Sequence, residues 1–133
     1  MEMSTDDLVQ LQQVTALYVH VIDAKQWDRL PDIYVDDAVF DLTGLVGSEM
    51  RFDGIDAIKG FLTSMPMPLA HVSTNHTFFE EGGEVHGRGK WFFPGEDGTV
   101  SGGVYRDRFT RSAAGWRLQE RQVFGWAGAD ETT

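Results

Sequence analysis

Leu69-Ala-His71-Val-Ser-Thr-Asn75-His76-Thr-Phe-Phe-Glu80, then Glu81-Gly82-Gly83, then Glu84-Val-His-Gly-Arg-Gly-Lys-Trp-Phe-Phe93: this stretch decides the fold. Two runs rich in β-branched and aromatic residues meet at a glycine turn, which is the pattern of an antiparallel hairpin. The pattern then repeats. A turn at Gly95-Glu-Asp-Gly98 leads into a strand over 99–111, and a turn at Ser112-Ala-Ala-Gly115 leads into a strand over 116–126. A four-stranded antiparallel meander is expected across the second half of the chain. Gly87, Gly89, Gly102 and Gly103 stand inside its strands. Interior strand glycine marks bulges and sharp bends, so a strongly bent sheet is expected.

The first half reads differently. Over residues 5–25, Leu8, Leu11, Val14, Leu17 (or Tyr18) and Val21 recur at helical spacing. Ser4 or Thr5 is placed to cap this helix, and Asp6 and Asp7 suit its first turn. Tyr18 and Ile22 lie one turn apart, so both approach the side reached by Asp23 at the helix end. A second, shorter helix is expected over 27–34, with Pro31 an awkward member. Residues 37–43 alternate as a strand, with Phe40 and Leu42 sharing a face. Residues 44–47 read as a loop and 50–52 as a short strand. A third helix starts near Asp53-Gly54 and ends before Pro66 and Pro68. Helices followed by an antiparallel sheet make an α+β domain with its helices on one sheet face. A bent sheet folded round helices encloses a pocket, the default place for a ligand. Residues 127–133 read as a frayed tail.

The chain has 133 residues, enough for one domain with one core, and a formal net charge of −10. That charge argues against nucleic acid or an anionic membrane as a partner. There is no cysteine, so disulfides, thiolate catalysis and cysteine-ligated zinc are excluded. No compact histidine and carboxylate spacing suggests a metal, and Gly87-Arg-Gly89 lacks the strand–helix setting of a phosphate cradle. No cofactor is expected. The acidic start has no signal-peptide pattern and no apolar run reaches membrane-spanning length, so a cytoplasmic protein is the expectation.

The order of elements carries three local motifs: Asp23-Ala-Lys-Gln-Trp27-Asp28-Arg29-Leu30, Asp37-Ala-Val-Phe-Asp41 and Gly115-Trp116-Arg117-Leu118. Together they resemble the SnoaL-like part of the nuclear transport factor 2-like superfamily, over about residues 8–126. The resemblance implies a cone: a curved sheet wrapped round three helices, with a deep apolar pocket. It also implies a homodimer or homotrimer formed through the outer sheet face. The superfamily holds dehydratases, isomerases, polyketide cyclases, epoxide hydrolases and non-catalytic binders, so fold does not fix function. The nearest pattern is the branch with scytalone dehydratase, bile-acid 7α-dehydratase and hexachlorocyclohexane dehydrochlorinase. These use an Asp late in the first helix and a His on the strand after the third; Asp23 and His71 match. The bile-acid enzyme's extra Tyr matches Tyr18. Three departures from scytalone dehydratase stand at Ile22, Gly89 and Tyr105.

A carboxylate beside an imidazole forms a general acid/base unit, in which the carboxylate fixes the tautomer and the ring moves the proton. The expected catalytic set is Asp23, His71 and Tyr18. The expected substrate contacts are Ile22, Leu42, Phe52, Phe61, Asn75, Trp91, Tyr105, Asp107, Arg121 and Phe124. Simple strand alternation from His71 puts Asn75 on the pocket face and His76 on the other. Asp107 reads equally well as a pocket group or as the partner of Arg117 or Arg121 in a cross-strand ion pair, and Arg121 reads as an oxyanion or leaving-group contact or as a structural partner of Glu120 or Asp107. Asp41 reads as a strand-end turn residue or a second carboxylate near the cone. The chemistry expected is a cofactor-independent lyase, dehydratase-like, on a small apolar cyclic molecule. An isomerase or aldol cyclase with the same pair, an epoxide hydrolase, or a non-catalytic binding module remains open.

Overall fold

The computed structural model describes residues 2–126; the tail expected at 127–133 lies outside them. Helix α1 runs Thr5–Asp23. Its start is fixed by a capping box. The Ser4 hydroxyl accepts the Asp7 N–H at 3.1 Å, and the Asp7 carboxylate accepts the Ser4 N–H at 2.9 Å. Leu11, Val14, Tyr18, Val21 and Ile22 form its buried stripe.

Asp7 also ties α1 to the sheet. Its Oδ1 accepts the Trp116 indole N–H at 3.0 Å and an Arg111 N–H at 2.6 Å. The Trp116 bond, the Ser4 amide and the Arg111 charge hold its carboxyl below the ordinary carboxylate range. A depressed folded-state pKa adds stability above the unfolded value, and that stability is lost as pH falls through the folded value. Asp7→Asn is therefore expected to lower the melting temperature at pH 7. It is also expected to flatten the decline in melting temperature below about pH 4. Thermal melts from pH 7 to pH 2.5 check this; an unchanged acid limb would count against the role.

After α1 a 3₁₀ helix spans Trp27–Asp32 and buries Leu30. It is shorter than the helix expected to residue 34, because strand β1 starts at Tyr34 and continues to Asp41. The expected loop at 44–47 is instead a single helical turn, α2, Thr43–Val46, stopped by Gly47 in the left-handed region at φ 77°. Strand β2 is Arg51–Asp53 and helix α3 is Ile55–Ser64. The meander follows: β3 Val72–Glu81, β4 Glu84–Pro94, β5 Val100–Ser112 and β6 Gly115–Gly125.

The sheet order is β2-β1-β6-β5-β4-β3. Strand β1 lies parallel to β6, and every other neighbouring pair is antiparallel. The sheet is curved and unclosed, as the interior glycines suggested. Those glycines also make room. A Cβ on Gly103 would stand 1.8 Å from the Phe124 carbonyl oxygen. That same oxygen accepts the Trp91 indole N–H at 3.1 Å. Across the β3–β4 pair the register shifts between Thr74 and Thr77. Two residues, Asn75 and His76, thus oppose Gly89 alone, and Asn75 has φ 56°. This is a β-bulge, and it reverses the inward–outward alternation of β3 beyond it. No helix among the described residues is long and apolar enough to cross a membrane.

Candidate active site

Asp23 is the last residue of α1, and His71 directly precedes β3. They are 48 positions apart in sequence and meet at hydrogen-bond distance. His71 Nδ1 lies 2.6 Å from Asp23 Oδ1. The same carboxylate accepts the His71 backbone N–H, at 2.9 Å to Oδ2 and 3.1 Å to Oδ1. The carboxylate is thus held by both backbone and ring of one residue, which fixes the ring's orientation. A carboxylate accepts and does not donate, so Nδ1 carries the proton and Nε2 is left as the basic nitrogen. The ring also packs edge-on to Phe93 at 5.8 Å.

His71 lines a cavity of about 200 Å³. Its other walls are Tyr18 and Ile22 from α1, Phe40 and Leu42 from β1, Leu45 from α2, Phe61 and Leu62 from α3, Met65–Pro68 after it, Trp91 and Phe93 from β4, Tyr105 from β5 and Val123 from β6. Apart from His71 and the two tyrosines, these side chains offer almost no polar atoms. Of the expected site residues, Tyr18, Ile22, Leu42, Phe61, Trp91 and Tyr105 line the cavity with His71, and Asp23 backs the ring. Leu62, Val123 and Leu45 are wall residues that sequence reading missed. Leu62 was legible as a member of the α3 stripe, whereas Leu45 sits on the helical turn that was read as a loop.

Five expected contacts fall elsewhere: Phe52, Phe124, Asn75, Asp107 and Arg121. Phe52 stacks on the far side of Phe61, with ring centroids 4.3 Å apart. Phe124 alternates with the inward residues Arg121 and Val123, so it faces outward and lies beneath the Arg106 guanidinium at 4.9 Å. Asn75 is exposed on the outer sheet face with Thr77, Arg88 and Arg106, because the bulge turns it outward. His76, expected on the outer face, is turned inward by the same bulge: its ring occupies the space a Gly89 side chain would fill. Asp41 accepts the Thr43 N–H at 2.9 Å, the strand-end turn role.

Asp107 and Arg121 form the buried pair. Two parallel bonds of 2.8 Å join them, from Arg121 Nε and Nη2 to the two carboxylate oxygens. Neither side chain reaches solvent beyond 1%. The guanidinium is stacked under Tyr105 at 3.7 Å and Tyr18 at 4.3 Å. Burial works against its charge, but attraction and hydrogen bonding from Asp107 win, and Arg121 stays well above its ordinary value. The pair is therefore the foundation of the cavity floor, set beneath the two tyrosines. Burial raises both tyrosines, and Arg121 only partly offsets this, so both keep their protons and remain hydrogen-bond donors.

A larger groove of about 640 Å³ runs between the first half of α1 and the β5–β6 turn. Its arginines are occupied: Arg29 by Asp32, Arg111 by Asp7 and Arg117 by the Pro31 carbonyl. It contains no imidazole and neither Asp23 nor His71 lines it, so the smaller apolar cavity is the candidate site. Among the described residues no three His, Cys, Asp or Glu side chains are grouped to hold a metal ion.

Solved structures share this architecture. A candidate aromatic ring hydroxylase from Novosphingobium aromaticivorans superimposes with a TM-score of 0.76 at 25% identity, covering 93% of this chain and 92% of that one. An NTF2-like protein with a cystatin-like fold from Novosphingobium aromaticivorans gives 0.75 at 21% identity, covering 93% and 84%. LinA gives 0.72 at 20% identity, covering 88% and 84%. No curated protein matches the chain. The family model of the SnoaL-like domain matches residues 3–122, and the chain belongs to that family, with the NTF2-like fold.

Proposed function

We propose that the protein is a cofactor-independent lyase that removes water from a small, largely apolar cyclic molecule. The observation that carries this reading is the 2.6 Å bond between Asp23 and a His71 ring that lines the apolar cavity. His71 Nε2 takes a proton from the carbon next to a carbonyl. The electron pair left behind forms the carbon–carbon double bond as the β-carbon–oxygen bond breaks, and the departing hydroxyl takes the proton back from the His71 imidazolium and leaves as water, which restores the neutral ring. Asp23 orients the ring and stabilises its cation. Tyr18 donates to the carbonyl or to the departing oxygen. The dry walls strengthen each of these interactions.

Isomerisation and aldol cyclisation need the same first proton transfer and differ only in what the substrate does next. The cavity's size and apolar walls support a one- or two-ring substrate. We extend the proposal to a homodimer or homotrimer, for which exposed Phe79, Phe92 and Val72 on the meander offer apolar contact. The test of function is dehydration of cyclic β-hydroxy ketones, followed by the ultraviolet absorbance of the conjugated enone. Enone is expected to form at a rate proportional to protein concentration. Tight binding with no enone, across one- and two-ring substrates, would favour a non-catalytic binding module.

A further inference from the structure

Two wall residues of the apolar cavity are also well exposed, Leu45 at 41% and Met65 at 45%. A side chain that lines a cavity and still meets solvent stands where the cavity opens. The mouth therefore lies between the helical turn α2 and the segment that follows α3. Apolar surface continues outward on both sides: Val46 follows Leu45, Leu69 follows Pro68, and both are exposed. Large apolar side chains gathered in water around a cavity mouth mark a binding surface. Both sides have fixed backbones. On the α2 side, the Leu42 N–H donates to the Met50 carbonyl at 2.8 Å, and the Met50 N–H donates to the Thr43 hydroxyl at 3.1 Å. Gly44 lies against the Phe124 ring so closely that a side chain there would run into it. On the other side, Pro66 and Pro68 hold φ fixed and have no N–H to offer a strand. A residue before proline is pushed to extended backbone, and Met65 is extended, at φ −101° and ψ 142°. The unbranched side chains of Met65 and Met67 adapt to what lies between these walls.

We propose that Leu45 and Met65 flank an apolar exit slot, through which a hydrocarbon chain on the substrate ring leaves the cavity and lies along Val46 and Leu69. This rests on the reading of the cavity as a substrate site and narrows the substrate class to alkyl-substituted cyclic β-hydroxy ketones. The cavity holds about 200 Å³, less than the roughly 300–1,000 Å³ of most small-molecule sites. It is filled by the ring core, so a long substituent has to leave through the mouth. A polar substituent gains nothing from four apolar side chains there. A hydrocarbon chain removes its own surface and theirs from water. Leu45 and Met65 thus determine specificity for what the ring carries, while Asp23 and His71 act on the ring itself.

The experiment is calorimetric titration with 2-decalone, 6-butyl-2-decalone and 6-(3-hydroxypropyl)-2-decalone. Wild-type protein is expected to bind the butyl ketone about 10-fold or more tightly than 2-decalone, from four half-buried carbons at about 2-fold each. The hydroxypropyl ketone, equal in length but polar at its end, is expected to lose most of that gain. Leu45→Ser and Met65→Ser are each expected to cut the butyl preference below about 3-fold. Comparing the two ketones within one variant cancels any change in how the shared rings bind. Butyl binding no tighter than 2-decalone would overturn the slot and leave the Asp23–His71 reading standing. A preference retained in both variants, or a hydroxypropyl ketone that binds as tightly as the butyl one, would also overturn it. Failure of all three ketones to bind would overturn the slot and the substrate cavity together.

Discussion

His71→Gln is expected to lower the rate of enone formation by about 10²-fold or more, with the melting temperature near that of wild type. Glutamine keeps a polar side chain and keeps the backbone N–H that Asp23 accepts at 2.9 Å. It removes only the basic nitrogen. Asp23→Asn is expected to cost a similar factor for a different reason. An amide does not stabilise a developing imidazolium as a carboxylate does, and it is free to present its NH₂ to Nδ1. That orientation would favour the wrong tautomer and put the proton on Nε2, where the base is needed. The loss should fall on kcat more than on KM, because neither group supplies the apolar contacts that bind the ring. Single-turnover rates separate the two. Full activity in both variants would rule out the proton-transfer role.

The largest stability effect is expected at the floor. Arg121→Met leaves Asp107 with a buried, unpaired carboxylate, and such breaks cost about 3–5 kcal/mol. Against a typical total of about 5–15 kcal/mol this is a large share. The double variant Arg121→Met with Asp107→Leu removes both charges and is expected to recover much of the loss. Urea denaturation of the three proteins measures this. The same floor carries Tyr18 and Tyr105, so activity should fall with Arg121→Met even at temperatures where the protein stays folded. A single variant as stable as wild type would mean the pair is not holding the floor.

The parts that were legible in the sequence rest on local chemistry. Helical spacing put Tyr18, Ile22 and Asp23 on one side of α1, and the capping pattern at Ser4 set its start. Glycine turns set the hairpins and so the meander. The Asp23–His71 pairing was readable only through resemblance, since the two residues are 48 positions apart. The illegible parts depend on what lies across a strand. Whether Asp107 pairs with Arg121 is decided by β5–β6 register, where the two stand directly opposite. Alternation was carried straight through Asn75, which placed Asn75 and His76 on the wrong faces. The two available clues were a residue type that tolerates the left-handed region and an inward glycine on the next strand. Gly89 leaves a volume that a neighbouring side chain has to fill. Phe124 was misplaced for a related reason: an aromatic residue was assumed to face the core, though its neighbour Val123 does. Phe52 was close to right, one ring removed from the cavity.

The most direct test of the central claim looks for the proton transfer itself. A cyclic ketone such as 2-decalone is incubated in D₂O with the protein, and its α-proton signals are followed by nuclear magnetic resonance. The wild type is expected to wash those protons out at a rate proportional to protein concentration, and His71→Gln to do so about 10²-fold more slowly. A ketone that binds without exchange above the buffer rate, or that exchanges as fast with His71→Gln, would contradict the assignment of His71 as the base.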